Sequence, residues 1–243
     1  MTIHKRNRQN PQIRDFILRN VEEHPDKITA LAIKEFGLSR AAIIKYIQRL
    51  IKDGVLTAEG NTKSRHYKLK KIVDITFSIK LLEGMPEDIV WIYRILPFLK
   101  NESKNVIDIC QYGFTEMLNN AIDHSISSDA LISLEKTHNE IKIYIVDHGI
   151  GIFKKIQTDF NLPDARAALL ELSKGQLTSA PSRHAGEGIF FTSRMFDRFT
   201  IVSGNLVYSK KRNDDHGWLV EDSDQEKYTQ GTIVSMAIST DAD

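Results

Sequence analysis

Apolar residues fall three and four apart through the first fifty residues of this chain. Ile13, Phe16, Ile17 and Val21 predict an amphipathic helix over 11–24, ended by Pro25. Ile28, Leu31, Ala32 and Phe36 predict a second, short helix over 28–36. Gly37-Leu38-Ser39 reads as a tight turn. Ser39 can N-cap a third helix, Arg40 to Lys52, with Ile43, Ile47 and Leu50 pointing inward and Gly54 as the stop. Val55–Thr57 and Tyr67–Leu69 predict two short strands around a basic turn, residues 60–65.

Further along, Ile75–Leu82 predicts a strand and Glu87–Leu99 a helix. A long helix is expected from about Lys104 to Ser125, then strands at Ala130–Glu135 and Glu140–Val146, the latter alternating Ile141, Ile143 and Ile145. Residues 152–184 read as irregular, with one helix at about 164–174. A helix opens at Ala185 and runs to Asp197. Phe199–Ser203 and Leu206–Lys210 form a hairpin around Gly204-Asn205. Residues 211–230 are charged and read as a mobile loop, and Gly231–Met236 as a closing strand.

The long helix carries the densest pattern. Ile107, Cys110, Phe114, Leu118 and Ala121 share one face at the helical turn angle. Glu116, Asn120 and Asp123 share the opposite face at i, i+4 and i+7. A solvated face usually mixes Lys with Glu, since opposite charges at i, i+4 support each other. A row of carboxylate, amide and carboxylate without a cation suits a hard cation with oxygen ligands, and a base that takes a proton from water.

The length of 243 residues allows two domains, and the charge divides them. The net +1 hides a balance of +9 in residues 1–71, where 16 Lys and Arg meet 7 Asp and Glu, and of −8 in residues 72–243. The expected boundary lies there, with a polyanionic partner for the first domain. One cysteine, Cys110, excludes a disulfide framework or zinc cluster within one chain. Met1–Gln12 is basic and polar without an apolar core, so it does not read as a secretory signal. The apolar region 89–99 is short and broken by Arg94 and Pro97, so no membrane span is expected. A cytoplasmic protein is expected.

Helix, helix, glycine-containing turn, helix and basic hairpin, over residues 11–70, resemble a winged helix-turn-helix domain. The resemblance lies in order and spacing, since no single residue is diagnostic. It implies that Arg40 to Lys52 enters the major groove of double-stranded DNA, and that Lys63 and Arg65 in the wing touch phosphates. The side chains agree: Arg40, Lys45 and Arg49 can neutralise phosphates and Gln48 can read a base edge. A protein-contact module with a solvated basic face is the competing reading. The +9 excess favours DNA.

Two glycine motifs remain. In Asp147-x-Gly149-x-Gly151 a carboxylate ends a strand and can accept the hydrogen bond of an exocyclic amine, while the glycines let backbone approach a flat ligand. In Gly186-x-Gly188 the glycines precede a helix whose first N–H groups can hold phosphate oxygens. Either alone is more often a turn or a cap. In the order Glu116-x-x-x-Asn120, Asp147-x-Gly149-x-Gly151, Gly186-x-Gly188 and Gly231-Thr232, they resemble the GHKL ATP-binding fold of DNA gyrase, MutL, heat-shock chaperone ATPases, histidine kinases and anti-sigma-factor kinases. The resemblance covers residues 75–238. It implies an α+β protein: a winged helix-turn-helix followed by a Bergerat-type α/β sandwich.

The resemblance also implies roles. Asn120 would coordinate a Mg²⁺ that bridges the ATP phosphates, and Glu116 would be the general base that activates water. Asp147 would bind the adenine amine, Gly149 and Gly151 would shape its pocket, and Thr232 would sit beneath the adenine. Residues 152–185 would be the ATP lid, and Gly186 and Gly188 would close on phosphate. Asp123 matches an acidic position near the nucleotide. Asn119 departs from the family, standing where gyrase-like members often have Asp. The second glycine motif lacks a later third glycine, which leaves the lid hard to align; Arg183 and His184 lie beside it, as phosphate contacts or as solvated lid residues. His124 reads as a helix-end residue that caps or stays solvated, and Phe190, Phe191, Phe196 and Phe199 as core.

Together these features point to a transcription regulator whose DNA binding is switched by Mg-ATP, slowly hydrolysed. The alternative is a protein serine kinase of the anti-sigma type acting on a protein partner, with Glu116 taking the proton of a hydroxyl. A sensor histidine kinase is disfavoured because residues 72–104 are too short for a dimerisation segment and contain no His. A MutL- or gyrase-like machine ranks last, for want of a transducer domain. Winged-helix regulators often dimerise, so a homodimer is among the expected partners, although no dimer surface is legible.

Overall fold

In the computed structural model, residues 10–61, 64–174, 185–212, 218–221 and 229–242 are described. The chain divides into two compact units, Met1–Ile72 with Thr137–Asn139, and Val73–Lys136 with Glu140–Asp243.

The front unit follows from its local signals. Helix α1 (Pro11–Asn20) starts with proline at its first position, and the Asn10 side chain caps it by accepting from Gln12 N at 3.0 Å. Helix α2 (Ile28–Phe36) ends where Gly37 turns left-handed at φ +63°. Ser39 Oγ accepts from Ala42 N at 3.3 Å and caps α3 (Arg40–Lys52). Ile17, Ile28, Ala32, Ile43, Ile47 and Leu50 are buried together, and Phe16 meets Phe36 edge-on at 5.4 Å. Strands β1 (Leu56–Glu59) and β2 (His66–Leu69) pair antiparallel, Leu56 opposite Leu69.

The back unit is built on one antiparallel sheet, in the order β3-β4-β5-β9-β6-β7-β8. These strands are β3 (Val73–Lys80), β4 (Asp129–Lys136), β5 (Glu140–Asp147), β6 (Arg198–Gly204), β7 (Leu206–Lys211), β8 (Trp218–Glu221) and β9 (Thr229–Ser239). Alternation puts Ile132, Leu134, Ile141, Ile143 and Ile145 into the core and leaves the other face partly wet. A helical segment runs from α4 (Glu87–Val90) through a π turn (Trp91–Ile95) to α5 (Leu96–Leu99). Helix α6 (Lys104–His124) is capped by Ser103, and α9 (Ala185–Met195) packs against it.

Helix α6 differs from its pattern in one respect. It buries Val106, Ile109, Cys110, Gly113, Phe114, Met117, Leu118 and Ala121, a stripe broader than the expected one, with Ile107 only half-buried. The stripe is broad because α6 is covered by the sheet on one side and α9 on another. Glu116 and Asn120 are therefore half-buried, and only Asp123 of that row is exposed.

Two segments correct the expected pattern. Residues 152–159, read as irregular, form helix α7 (Ile152–Asp159), which buries Phe153 and is followed by α8 (Ala165–Lys174). Part of the segment read as a loop, Trp218–Glu221, pairs with β7 as β8. A four-residue strand carries too few alternations to stand out by itself. Among the described residues, no helix is long and apolar enough to cross a membrane.

Candidate functional site

Asp147 is the last residue of β5 and stands opposite Thr232 of β9. It is only 5% exposed. Its Oδ1 accepts from Gly149 N at 2.9 Å, and the Thr232 backbone and hydroxyl also bond to it. Thr232 Oγ1 accepts in turn from Ile152 N at 3.0 Å, tying the start of α7 to the same pair. Burial raises the Asp147 carboxyl above the ordinary aspartate value, and these hydrogen bonds only partly offset it. The result is a carboxyl group held in one place by three donors.

The glycines around it serve the chain first. A Cβ on Gly149 would stand on the Ser125 carbonyl at the end of α6, where Ile150 N donates to Ser125 O at 2.9 Å. Gly151, at φ +85°, leaves room for Ser203 Oγ, which a Cβ would meet at 2.5 Å. Gly231, at φ +87°, lies against the Asp147 carbonyl. Gly149 and Gly151 thereby permit the approach of three chain segments around Asp147.

Those segments line a small cavity of about 20 Å³, bounded by Met117 and Asn120 of α6, Asp147, Ile152, Thr232 and Val234 among others. His124 lines it as well, one helical turn beyond Asn120. The i, i+4 spacing was the available signal for His124. Asn120 Nδ2 is buried and has no hydrogen-bond partner. A buried amide left unsatisfied costs roughly 1–3 kcal/mol, and such a group calls for an explanation.

One turn before Asn120, the Glu116 carboxylate lies against Gly188 of α9, in the space where a Cβ on that glycine would stand. Gly186 lies in the first turn of α9. The carboxylate and the second glycine motif therefore meet. Asp123 is exposed and outside the cavity lining. Residues 175–184, the C-terminal part of the expected lid, with Arg183 and His184 among them, lie outside the described residues.

Asn120 meets the demands of a hard cation only in part. Its carboxamide can turn its oxygen toward the cavity, since the two ends are nearly isosteric. Among the described residues, no group of three His, Cys, Asp or Glu could hold a metal ion. The remaining ligands would have to come from phosphate oxygens and water, the usual arrangement for Mg²⁺. Cys110 takes no part: burial, followed by the Glu102 charge, pushes its thiol up to about 12.

In the front unit, Arg40, Lys45, Gln48 and Arg49 are all exposed on α3, and Arg65 is exposed just before β2. Arg40 and Arg65 share a groove of about 270 Å³ with Asp26, Thr29, Ile44 and Tyr67. Arg49 lies 3.8 Å from Asp53, a surface pair that holds it loosely. Lys63 lies outside the described residues. Glu59 accepts from Lys68 and His66, each at 3.0 Å, so the hairpin is less basic than its composition suggests.

No protein-family model matches the chain, and no curated protein matches it.

Proposed function

We propose that this chain is a DNA-binding transcription regulator switched by Mg-ATP. In this reading the front unit is a winged helix-turn-helix and the back unit a GHKL-type ATP-binding sandwich. One observation carries it: the buried Asp147–Thr232 pair and the unpartnered Asn120 amide face one cavity.

Asp147 accepts the exocyclic amine of adenine, and Thr232 with the Gly149 N–H holds that carboxylate in place. Met117, Ile152 and Val234 supply apolar walls, and the cavity widens to admit the base. The Asn120 amide oxygen holds Mg²⁺ together with the phosphates; when bound, the ion neutralises phosphate charge. The first N–H groups of α9, with Gly186 and Gly188, hold phosphate oxygens. Glu116, seated against Gly188, takes the proton of the attacking water. The α3 cations and Arg65 neutralise DNA phosphates, and Gln48 reads a base edge.

The deciding experiment is DNA binding by the purified protein to pooled genomic fragments, with and without Mg-ATP. A shift in affinity or in the fragments selected supports the regulator. DNA binding indifferent to Mg-ATP removes the switch. Absence of DNA binding makes the front unit a partner-docking module and turns the search to a protein substrate for phosphorylation.

A further inference from the structure

Strand β3 ends the seven-stranded sheet, and among the described residues no strand pairs with its outer edge. It has eight residues, without proline, glycine or bulge. Such an edge is a row of backbone donors and acceptors ready for another strand, and proteins usually shorten or interrupt it. At the other end of the sheet, β8 has only four residues. Along β3 the exposed Asp74, Thr76, Ser78 and Lys80 alternate with the half-buried Val73, Ile75, Phe77 and Ile79.

We infer that β3 is a homodimer interface, joining two copies of the sheet antiparallel across a two-fold axis at Phe77. Core faces stay on one side of the joined sheet only when core-facing residues oppose core-facing residues, because side chains alternate with period two. The register with Phe77 opposite its own copy meets that condition. It sets Ile75 opposite Ile79, Thr76 opposite Ser78, and Asp74 opposite Lys80, twice over. Shifting the register two residues either way puts Asp74 opposite Ser78 or Leu82, and the charge match is lost. The strand is thus complementary to itself in the sense an isologous interface requires, and opposite charges and β-branched pairs across strands stabilise the pairing.

The neighbouring helical segment fits the same operation. Its Arg94 guanidinium lies 4.2 Å from the Phe77 ring, so it flanks the strand on the core side. The segment exposes Ile89, Ile92 and Tyr93 by 51%, 48% and 72%, a cluster of large apolar side chains that a partner would cover. Lys80 also lies 3.7 Å from Asp129 of its own chain, a surface pair weak enough to share.

The inference is independent of the nucleotide and DNA readings, and its test needs neither ligand. Sedimentation of the full chain across a concentration series should show a monomer–dimer equilibrium. Asp74→Lys sets Lys opposite Lys80 twice and should weaken dimerisation roughly tenfold or more. Asp74→Lys combined with Lys80→Asp restores opposite charges with their sides exchanged and should recover the dimer. Circular dichroism checks that each variant is folded. A monomer at every concentration overturns the interface, as does a dimer indifferent to Asp74→Lys or a double variant that fails to recover.

Discussion

The Glu116 carboxylate occupies the space where a Cβ at residue 188 would stand. Helices α6 and α9 meet there because residue 188 has no side chain. They meet again at Gly113, where a Cβ would run into the Phe196 ring and lie 3.1 Å from Thr192 Cγ2. The two contacts differ in what would have to move.

At position 188 the obstacle is the far end of a flexible side chain. Gly188→Ala should leave thermal stability near the wild-type value, because helix propensity gains ~1 kcal/mol while Glu116 swings aside. ATP turnover should fall about tenfold or more, since the base is displaced. Gly113→Ala meets a packed ring instead and should cost ~1–3 kcal/mol. Paired melting and turnover measurements distinguish them; a Gly188→Ala enzyme with full turnover would remove Glu116 as the base.

Asp147→Asn should abolish most nucleotide binding while keeping the fold. Asn can still accept from Gly149 N–H, but its amide then presents a donor to an amine. The expected loss is about 10- to 100-fold in affinity, the range for a hydrogen bond to a charged group. The pH dependence has a definite sign. The raised carboxyl holds its proton more tightly in the folded chain than in the unfolded one. Stability should therefore fall as pH rises from ~3.9 through the raised value, while ATP affinity rises over the same window. Asp147→Asn should flatten both trends, as read by melting and by titration calorimetry.

Asn120→Ala removes a buried, unpartnered amide from a helix and puts the best helix former in its place. The apo protein should melt no lower than wild type. The ratio of ATP affinities measured with and without Mg²⁺ should collapse toward one. An unchanged ratio would exclude Asn120 as the metal ligand.

Lys45 and Arg49 lie on the exposed side of α3. Changing both to Ala should move stability by no more than ~0.5 kcal/mol, as for ordinary surface positions. The slope of log affinity for DNA against log salt should fall by about two, near 0.9 per lost phosphate contact. An unchanged slope would leave the front unit as a protein-contact module.

Much of this arrangement was legible in the residues because it is local. The Ser39 cap, the turn at Gly37, the α3 stripe of Ile43, Ile47 and Leu50, and the alternation of β5 each act within a few residues of their own position. Asp147 at a strand end and Asn120 one turn beyond Glu116 were legible for the same reason. What the residues could not display is which face meets what. Glu116 and Asn120 looked like part of a polar outer face, and became half-buried only because α9, distant in sequence, packs on α6. The chain-on-chain contacts of Gly149, Gly151 and Gly231 were not legible, because they join segments distant in sequence. His124 entered the cavity lining, and α7 formed where irregular chain was expected, its first N–H bonded to the Thr232 hydroxyl on the closing strand. Periodicity and caps are set by neighbours along the chain, so the sequence by itself determined most of the elements; burial and partnership depend on segments that meet only on folding, so the tertiary structure decided α7, β8 and the surroundings of the site.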